Sequence, residues 1–251
     1  MNTRPPKSFK ILLIGDSCID QYIYGEVKRL NPEAPVPILN FKKTKTSQGM
    51  AWNVFNNLEA FGIDVSIVTN KEKIIKTRYI DEKSNQQILR VDEEILCSPM
   101  NYEIPKGHYD AIVISDYDKG FITRDILFKI THDYDCPIFI DSKKTLLPSH
   151  NCYIKINNIE YERLENKNSN IIITHGDKGA EYDGVFYSAE KVSVYDVVGA
   201  GDTFLSALTF GYLKYGTIEK AIPFANKAAA IAVSYPGTYV LTKEDVENLC
   251  N

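Results

Sequence analysis

The run KILLIG, Lys10–Gly15, places four aliphatic residues in a row and closes them with a glycine. A β-strand turns successive side chains to opposite faces, so a strand that is apolar at every position is covered on both sides. Runs of the same kind recur as DVSIVT (64–69), DAIVIS (110–115), CPIFID (136–141) and NIIIT (170–174). Helical patterns lie between several of them, at 50–61, 124–134 and 159–164. This alternation predicts an α/β fold with a mostly parallel central sheet and helices on both faces.

One region breaks the alternation. Residues 21–45, QYIYGEVKRLNPEAPVPILNFKKTK, alternate aromatic and aliphatic positions and carry Pro32, Pro35 and Pro37, which exclude a helix. With residues 77–94, TRYIDEKSNQQILRVDEE, they predict a small second sheet, used as a flap over an active site or as a dimer contact. Three helical patterns, at 203–215, 218–235 and 242–249, make up the carboxyl-terminal part.

A length of 251 residues predicts a single sizeable domain with this flap as its appendage. Hydrophobic residues at 44% and charged residues at 25% are ordinary for a packed globular chain. The net charge of −4 offers no broad basic face for nucleic acid, and FKKTKT (41–46) reads as a solvated strand face. Five scattered cysteines without a C-x-x-C pair predict a reduced protein. The sequence has no H-E-x-x-H spacing, nucleophile elbow, signal-like apolar core or run long enough to span a bilayer, so a cytoplasmic location without membrane contact is expected.

The segment DVVGAGDTF, Asp196–Phe204, carries the chemistry. A glycine turn entering a helix leaves unpaired amides at the positive end of the helix dipole, where an anion is stabilised. Gly199 and Gly201 let a phosphoryl group approach the main chain, and Asp202 then stands beside the anion. A carboxylate there accepts a proton from an attacking hydroxyl while the amides hold the transferring group, which points to phosphoryl transfer onto an alcohol. The alternative is a helix cap on a tight turn.

Other segments add to this reading. ITHGDKG, Ile173–Gly179, ends a predicted strand in a glycine-bearing turn that places Thr174 and the Gly176 amide near polyphosphate. INNIEYE sets Asn157 and Glu160 three apart at a helix start, either to orient Mg2+-bound water or to cap the helix. GDSCID places Asp16 and Asp20 beyond the first strand, at the end of the sheet where α/β folds bind ligands, and SQGMAWN places Gly49 and Asn53 at a helix start. Both suit sugar hydroxyls, and each has a reading as a cap or turn.

In this order, GDSCID, the N-x-x-E pair, THGDKG and VGAGDTF resemble the ribokinase-like (PfkB) carbohydrate kinases. RLNPEAPVPIL, NQQILRVDEE, SDYDKGFIT, IDSKK, YDVVGAGDTF and FANKAAAIAV with GTYVLTKEDVE are similar to one branch, the D-glycero-β-D-manno-heptose-7-phosphate kinases. The resemblance covers nearly the whole chain. It implies a ribokinase-like fold, and ATP-dependent transfer of the γ-phosphate to the anomeric hydroxyl of a heptose 7-phosphate. ATP and Mg2+ are the implied cofactors, with a monovalent cation as an optional addition.

By the same resemblance Asp202 is the base, and the amides of Gly199, Ala200 and Gly201 form the anion hole. Asn157 and Glu160 serve Mg2+ indirectly, while Thr174, Gly176, Gly179 and Asn226 line the nucleotide site. Asp16, Asp20, Gly49 and Asn53 meet sugar hydroxyls, and Arg78, Arg90 or Lys143 meets the distal phosphate. A homodimer through the flap is expected.

The sequence departs from the family at several places. Gly49-Met50-Ala51-Trp52-Asn53 replaces a Gly-Gly-Ala-Ala-Asn run, so Trp52 is expected to reshape the sugar pocket. Segments that relatives carry after Thr69 and before ITHG are absent here, and any nucleotidyltransferase activity is expected to reside on another polypeptide. A kinase for another sugar, or a sugar- and nucleotide-binding relative without turnover, are the alternatives.

Overall fold

The computed structural model of the chain describes residues 8–105 and 107–250. The start of the amino-terminal segment, residues 1–7, on which the expectation about a leader partly falls, lies outside them. Strand β1 (Lys10–Gly15) leads into two long strands, β2 (Ser17–Leu30) and β3 (Pro37–Met50), followed by α1 (Ala51–Ala60) and β4 (Asp64–Thr69). Next come β5 (Ile75–Asp81), β6 (Gln86–Glu93), β7 (Ala111–Asp116), α2 (Arg124–Asp133), β8 (Ile138–Ser142) and β9 (Cys152–Asn157). The short helix α3 (Asn158–Glu162) precedes β10 (Ile171–Thr174) and the hairpin β11 (Gly179–Tyr182) and β12 (Val185–Ser188). Helices α4 (Ala200–Tyr215), α5 (Ile218–Val233) and α6 (Lys243–Cys250) complete the chain.

The large sheet has eight strands in the order β12-β11-β10-β9-β8-β7-β1-β4. From β10 to β4 every pairing is parallel, and the β10–β11 and β11–β12 pairings are antiparallel. The apolar run of β1 is divided between two cores. Ile11 and Leu13 pack with Val54 and Leu58 of α1 and Leu205 and Leu208 of α4. Leu12 and Ile14 face the other way, toward Leu127 and Ile130 of α2. Each fully buried aliphatic side chain contributes about 1.5–3 kcal/mol, so replacing one position of β1 by a polar residue would weaken one core.

Chain direction across the sheet reverses beside β1, because β4 lies on one side of it and β7 on the other. The crevice at the carboxyl ends of β1 and β7 is therefore the topological switch point, where open α/β sheets bind ligands.

The small sheet has four strands in the order β3-β2-β5-β6. It is longer than the sequence predicts, since β2 starts at Ser17 and β3 runs on to Met50. Asp20 is thus a strand residue of this sheet rather than part of a loop. The β2–β5 pairing is parallel and sets Asp20 opposite Lys76, and β6 sets Asp92 opposite Lys76 on the other side. At the turn between β5 and β6, Asn85 Nδ2 donates to the Tyr195 hydroxyl at 2.9 Å, joining this sheet to the segment that leads into α4. Among the described residues, no helix is long and apolar enough to cross a membrane.

Candidate active site

Helix α4 starts at Gly199, whose φ of 81° is open to glycine and strained for other residues. The Ala200 amide turns back to the Val197 carbonyl at 3.3 Å, and the Thr203 amide to Gly199 at 3.0 Å. The amides of Gly201 and Asp202 lie in the first turn, where a helix supplies no carbonyl partner. Against this turn lies Lys155, at the middle of β9: a Cβ built on Gly201 would be 2.7 Å from Lys155 Nζ. The ammonium and the helix terminus together concentrate positive potential on one small volume.

Lys155 is buried, and its Nζ pairs with Asp141 Oδ2, at the end of β8, at 2.6 Å. Removing either partner would leave an uncompensated buried charge, at a cost of about 3–5 kcal/mol. The second oxygen, Asp141 Oδ1, is buried without a hydrogen-bond partner, and Lys143 Nζ stands 3.7 Å from it.

Asp202 is 5% exposed. Asn53 Nδ2 donates to its Oδ2 at 2.9 Å, and the Tyr117 hydroxyl donates to its Oδ1 at 2.9 Å. Its side chain is therefore no helix cap. Burial pushes the Asp202 carboxyl up to about 6, and Asp141 adds to the rise; the Asn53 and Tyr117 hydrogen bonds and the Lys155 charge restrain it. A base with that affinity is ionised at neutral pH and still takes up a proton readily.

Two cavities meet at this helix start. One, of about 430 Å3, is bounded by Tyr117, Asp141, Lys143, Lys155, Asn157 and Asp202. The other, of about 750 Å3, shares Lys155, Thr174, Gly176 and Gly201 with it and continues between apolar walls, with Val192, Val194 and Val197 on one side and Ala229, Ala230 and Val233 of α5 on another. Asn226 and Gly179 line the larger cavity. Asn226 Nδ2 donates to the Tyr187 carbonyl at 2.8 Å, so it also ties α5 to the β11–β12 hairpin. An apolar slot that opens into a polar, cationic end suits a base, a ribose and a phosphate chain laid in that order.

The N-x-x-E pair is a helix cap in this structure. Asn157 Oδ1 accepts from the Glu160 amide and Glu160 Oε2 accepts from the Asn157 amide, both at 2.9 Å. Glu160 Oε1 also holds Lys143. Among the described residues, no cluster of three or more acidic, histidine or cysteine side chains forms a metal cage. The orphaned Asp141 Oδ1 belongs to a residue that borders the smaller cavity, and the Glu160 carboxylate is bonded to Lys143, which lines the same cavity. This set fits an Mg2+ ion that arrives on nucleotide phosphates and keeps most of its water.

On the sugar side, the predicted residues divide. Asn53 reaches Asp202 directly. Asp20 and Gly49 lie together, with no room for a side chain on Gly49 beside the Asp20 carboxylate. Asp20 Oδ1 is held by Arg78 Nη1 at 2.5 Å. Asp16 is fully buried and accepts from the Tyr117 amide at 2.7 Å and the Lys119 amide at 3.3 Å, so it shapes the loop that presents Tyr117. Arg90 is engaged with Asp92 through two hydrogen bonds. Lys143 lies in the cavity beside Asp202, apart from Arg78 and Arg90. Trp52 packs edge to face on Phe55, with centroids 5.1 Å apart, and lines neither of the two cavities.

Comparison with known proteins matches residues 159–245 to the pfkB family carbohydrate kinases. The chain carries a pfkB family carbohydrate kinase domain. That stretch includes Glu160, Thr174, the Gly199–Asp202 turn and Asn226. The bifunctional protein HldE of a Nitratiruptor species is 29% identical over 95% of this chain and 64% of that protein. HldE of Helicobacter acinonychis is 31% identical over 96% of this chain and 66% of its own length. The chain thus spans less than two thirds of the length of the curated relatives it matches. The first alignment runs over 296 positions, more than the 251 residues here, so the relative carries segments without a counterpart in this chain.

Among solved structures, ribokinase from Thermotoga maritima superposes with a TM-score of 0.70 at 14% identity, over 96% of this chain and 99% of that one. Phosphofructokinase-2 from Escherichia coli in complex with potassium gives 0.70 at 15%, over 96% and 97%. The fold is ribokinase-like, as the sequence predicts.

The residue-by-residue reading missed three groups of this site. Tyr117 and Asp141 stand inside SDYDKG and IDSKK, which carried the resemblance, but nothing in either segment marks them as neighbours of the base. Lys155 interrupts an otherwise apolar strand, and its role emerges only when β8 and β9 pair.

Proposed function

We propose that the chain is an ATP-dependent sugar kinase, that both sheets work as one kinase domain, and that the acceptor is the anomeric hydroxyl of D-glycero-D-manno-heptose 7-phosphate. The observation that carries this is the buried Asp202 carboxyl, raised to about 6, beside the Lys155 ammonium and the first-turn amides of α4. In the proposed step, the acceptor oxygen bonds to the γ-phosphorus and its proton passes to Asp202. The bond from that phosphorus to the bridging oxygen breaks, and ADP leaves with the electron pair.

Lys155 and the amides of Gly201 and Asp202 donate to the phosphoryl oxygens as charge builds on them. Asn53 and Tyr117 orient the carboxylate. Glu160 and Asp141 would hold Mg2+, which when bound would supply positive charge to the nucleotide phosphates. The HldE relatives support the heptose assignment, and the ribokinase and phosphofructokinase-2 neighbours support the fold on which it rests.

The outer face of the small sheet supports a homodimer. Phe41, Leu89 and Val91 are 66%, 53% and 39% exposed, and a second copy would cover them along with the sheet edges. Five cysteines free of one another suit the cytoplasm.

The test is ATP consumption by the purified protein with Mg2+ and a panel of sugars and sugar phosphates, with 31P NMR to locate the new phosphate and Asp202→Asn as control. A 1,7-bisphosphate made by the wild type and not by the variant supports the proposal. Turnover on a different sugar moves the substrate, and no turnover on any member rejects the kinase reading.

A further inference from the structure

The two carboxylates that would hold Mg2+ already share a cation. Lys143 Nζ is bonded to Glu160 Oε1 and stands 3.7 Å from Asp141 Oδ1, the buried oxygen without a hydrogen-bond partner. The ammonium thus lies between the groups that a metal would bridge. Both carboxylates are fixed from their other oxygens: Asp141 Oδ2 is held by Lys155 Nζ at 2.6 Å, and Glu160 Oε2 accepts from the Asn157 amide at 2.9 Å.

Charge decides what can take the place of Lys143. Asp141 and Glu160 are balanced by Lys143 and Lys155, and Asp202 adds a negative charge to the same cavity. A divalent ion entering by itself would meet the Lys143 ammonium at close range and leave the cavity with surplus positive charge, a costly arrangement where water is scarce. A phosphate chain reverses the balance, since it brings more negative charge than the metal cancels. Lys143 can give way without leaving the site. It follows directly on β8, its side chain is 36% exposed, and it lines both the cavity of Asp202 and a surface cavity of about 460 Å3 shared with Arg124 and Thr145. Its Nζ is 5.6 Å from the centroid of the Tyr117 ring, whose hydroxyl is bonded to Asp202.

Resting on the kinase reading, we propose that Lys143 is the resident cation of the Mg2+ position: it keeps the free metal out, and it yields Glu160 and Asp141 to Mg2+ that enters with the nucleotide phosphates. Those phosphates then become the counter-charge of the displaced ammonium. Lys143 therefore sets the order of entry, with metal and nucleotide arriving together.

The test is an electron paramagnetic resonance titration of the full chain with Mn2+, which stands in for Mg2+ and reports free metal directly, first without nucleotide and then with ADP. Without nucleotide, Lys143→Gln should bind Mn2+ about tenfold or more tightly than the wild type, the effect of losing one neighbouring like charge. Lys143→Arg keeps the charge and should bind as weakly as the wild type. Adding Glu160→Gln to Lys143→Gln should remove the gain, which would locate the metal at that carboxylate. With ADP present, the difference between the wild type and Lys143→Gln should shrink. A purely structural ion pair would instead lower the melting temperature of Lys143→Gln and leave its Mn2+ affinity as in the wild type. Equal nucleotide-free affinity in these two proteins, a gain that survives the added Glu160→Gln, or a difference undiminished by ADP overturns the proposal. ATP turnover, measured separately, isolates the kinase reading: a metal site opened by Lys143→Gln in a protein without turnover rejects that reading and retains this one, and turnover with Mn2+ affinity indifferent to Lys143 does the reverse.

Discussion

At Asp202 one carboxyl combines burial, two donated hydrogen bonds and a nearby like charge, and its protonation is the property most open to measurement. In the proposed step the ionised form is the base, so kcat/KM should be lost as pH falls through about 6. The Tyr117 hydrogen bond favours the ionised form, so Tyr117→Phe should move that acidic limb to higher pH; a limb that stays in place removes Tyr117 from the role. The same burial costs stability. A carboxyl raised in the folded state binds its proton more tightly there than in the unfolded chain, so its stabilising contribution is present at low pH and lost as pH rises through about 6. Asp202→Asn should therefore lower turnover by about 10²–10⁴-fold while raising the melting temperature at pH 8. That stability gain should shrink toward pH 4, and an equal gain at both values would assign it to something other than charge. Asp202 was legible in the sequence because glycines frame it. Lys155 and Asp141 were not, because they lie fourteen positions apart on separate strands and meet only through the sheet.

Among the elements, those with an unbroken apolar pattern were legible: β1, β4, β7, β8, β10 and the longer helices lie close to where periodicity puts them. Strand β9 escaped notice because Lys155 and Asn157 interrupt it, and β11 and β12 because each has only four residues of mixed polarity. That hairpin nonetheless walls the larger cavity. It begins at Gly179, with φ of 117°, where a Cβ would run into the Tyr187 carbonyl. Gly179→Ala is expected to strain both the backbone and the hairpin, lowering the melting temperature by several degrees and weakening nucleotide binding in a fluorescence titration. Wild-type nucleotide affinity in a folded variant would mean that the hairpin is dispensable to the cavity. The short helix α3 illustrates the limit of motif reading: N-x-x-E admitted a cap or a metal role, and the hydrogen bonds form the cap.

For the molecule as a whole, the division into a large parallel sheet and a small polar one was readable from where alternating strands with prolines replaced apolar runs. The extent of the small sheet was not, because β2 and β3 extend into the segments that carry Asp20 and Gly49. If its outer face joins two copies, Leu89→Glu should convert a dimer to a monomer in light scattering at micromolar concentration; a wild type that is already monomeric rules the dimer out. The contact from Asn85 to Tyr195 has a thermodynamic consequence. It connects the small sheet to the segment whose valines wall the larger cavity, so on the proposed function the sugar and the nucleotide are expected to bind with positive cooperativity. Linkage makes that effect reciprocal: whatever factor the sugar adds to nucleotide affinity, the nucleotide adds to sugar affinity. Asn85→Ala should reduce both factors equally in paired titrations, leaving each ligand's affinity for the otherwise empty protein nearly unchanged. Such a protein would hold its two substrates together far more readily than either alone.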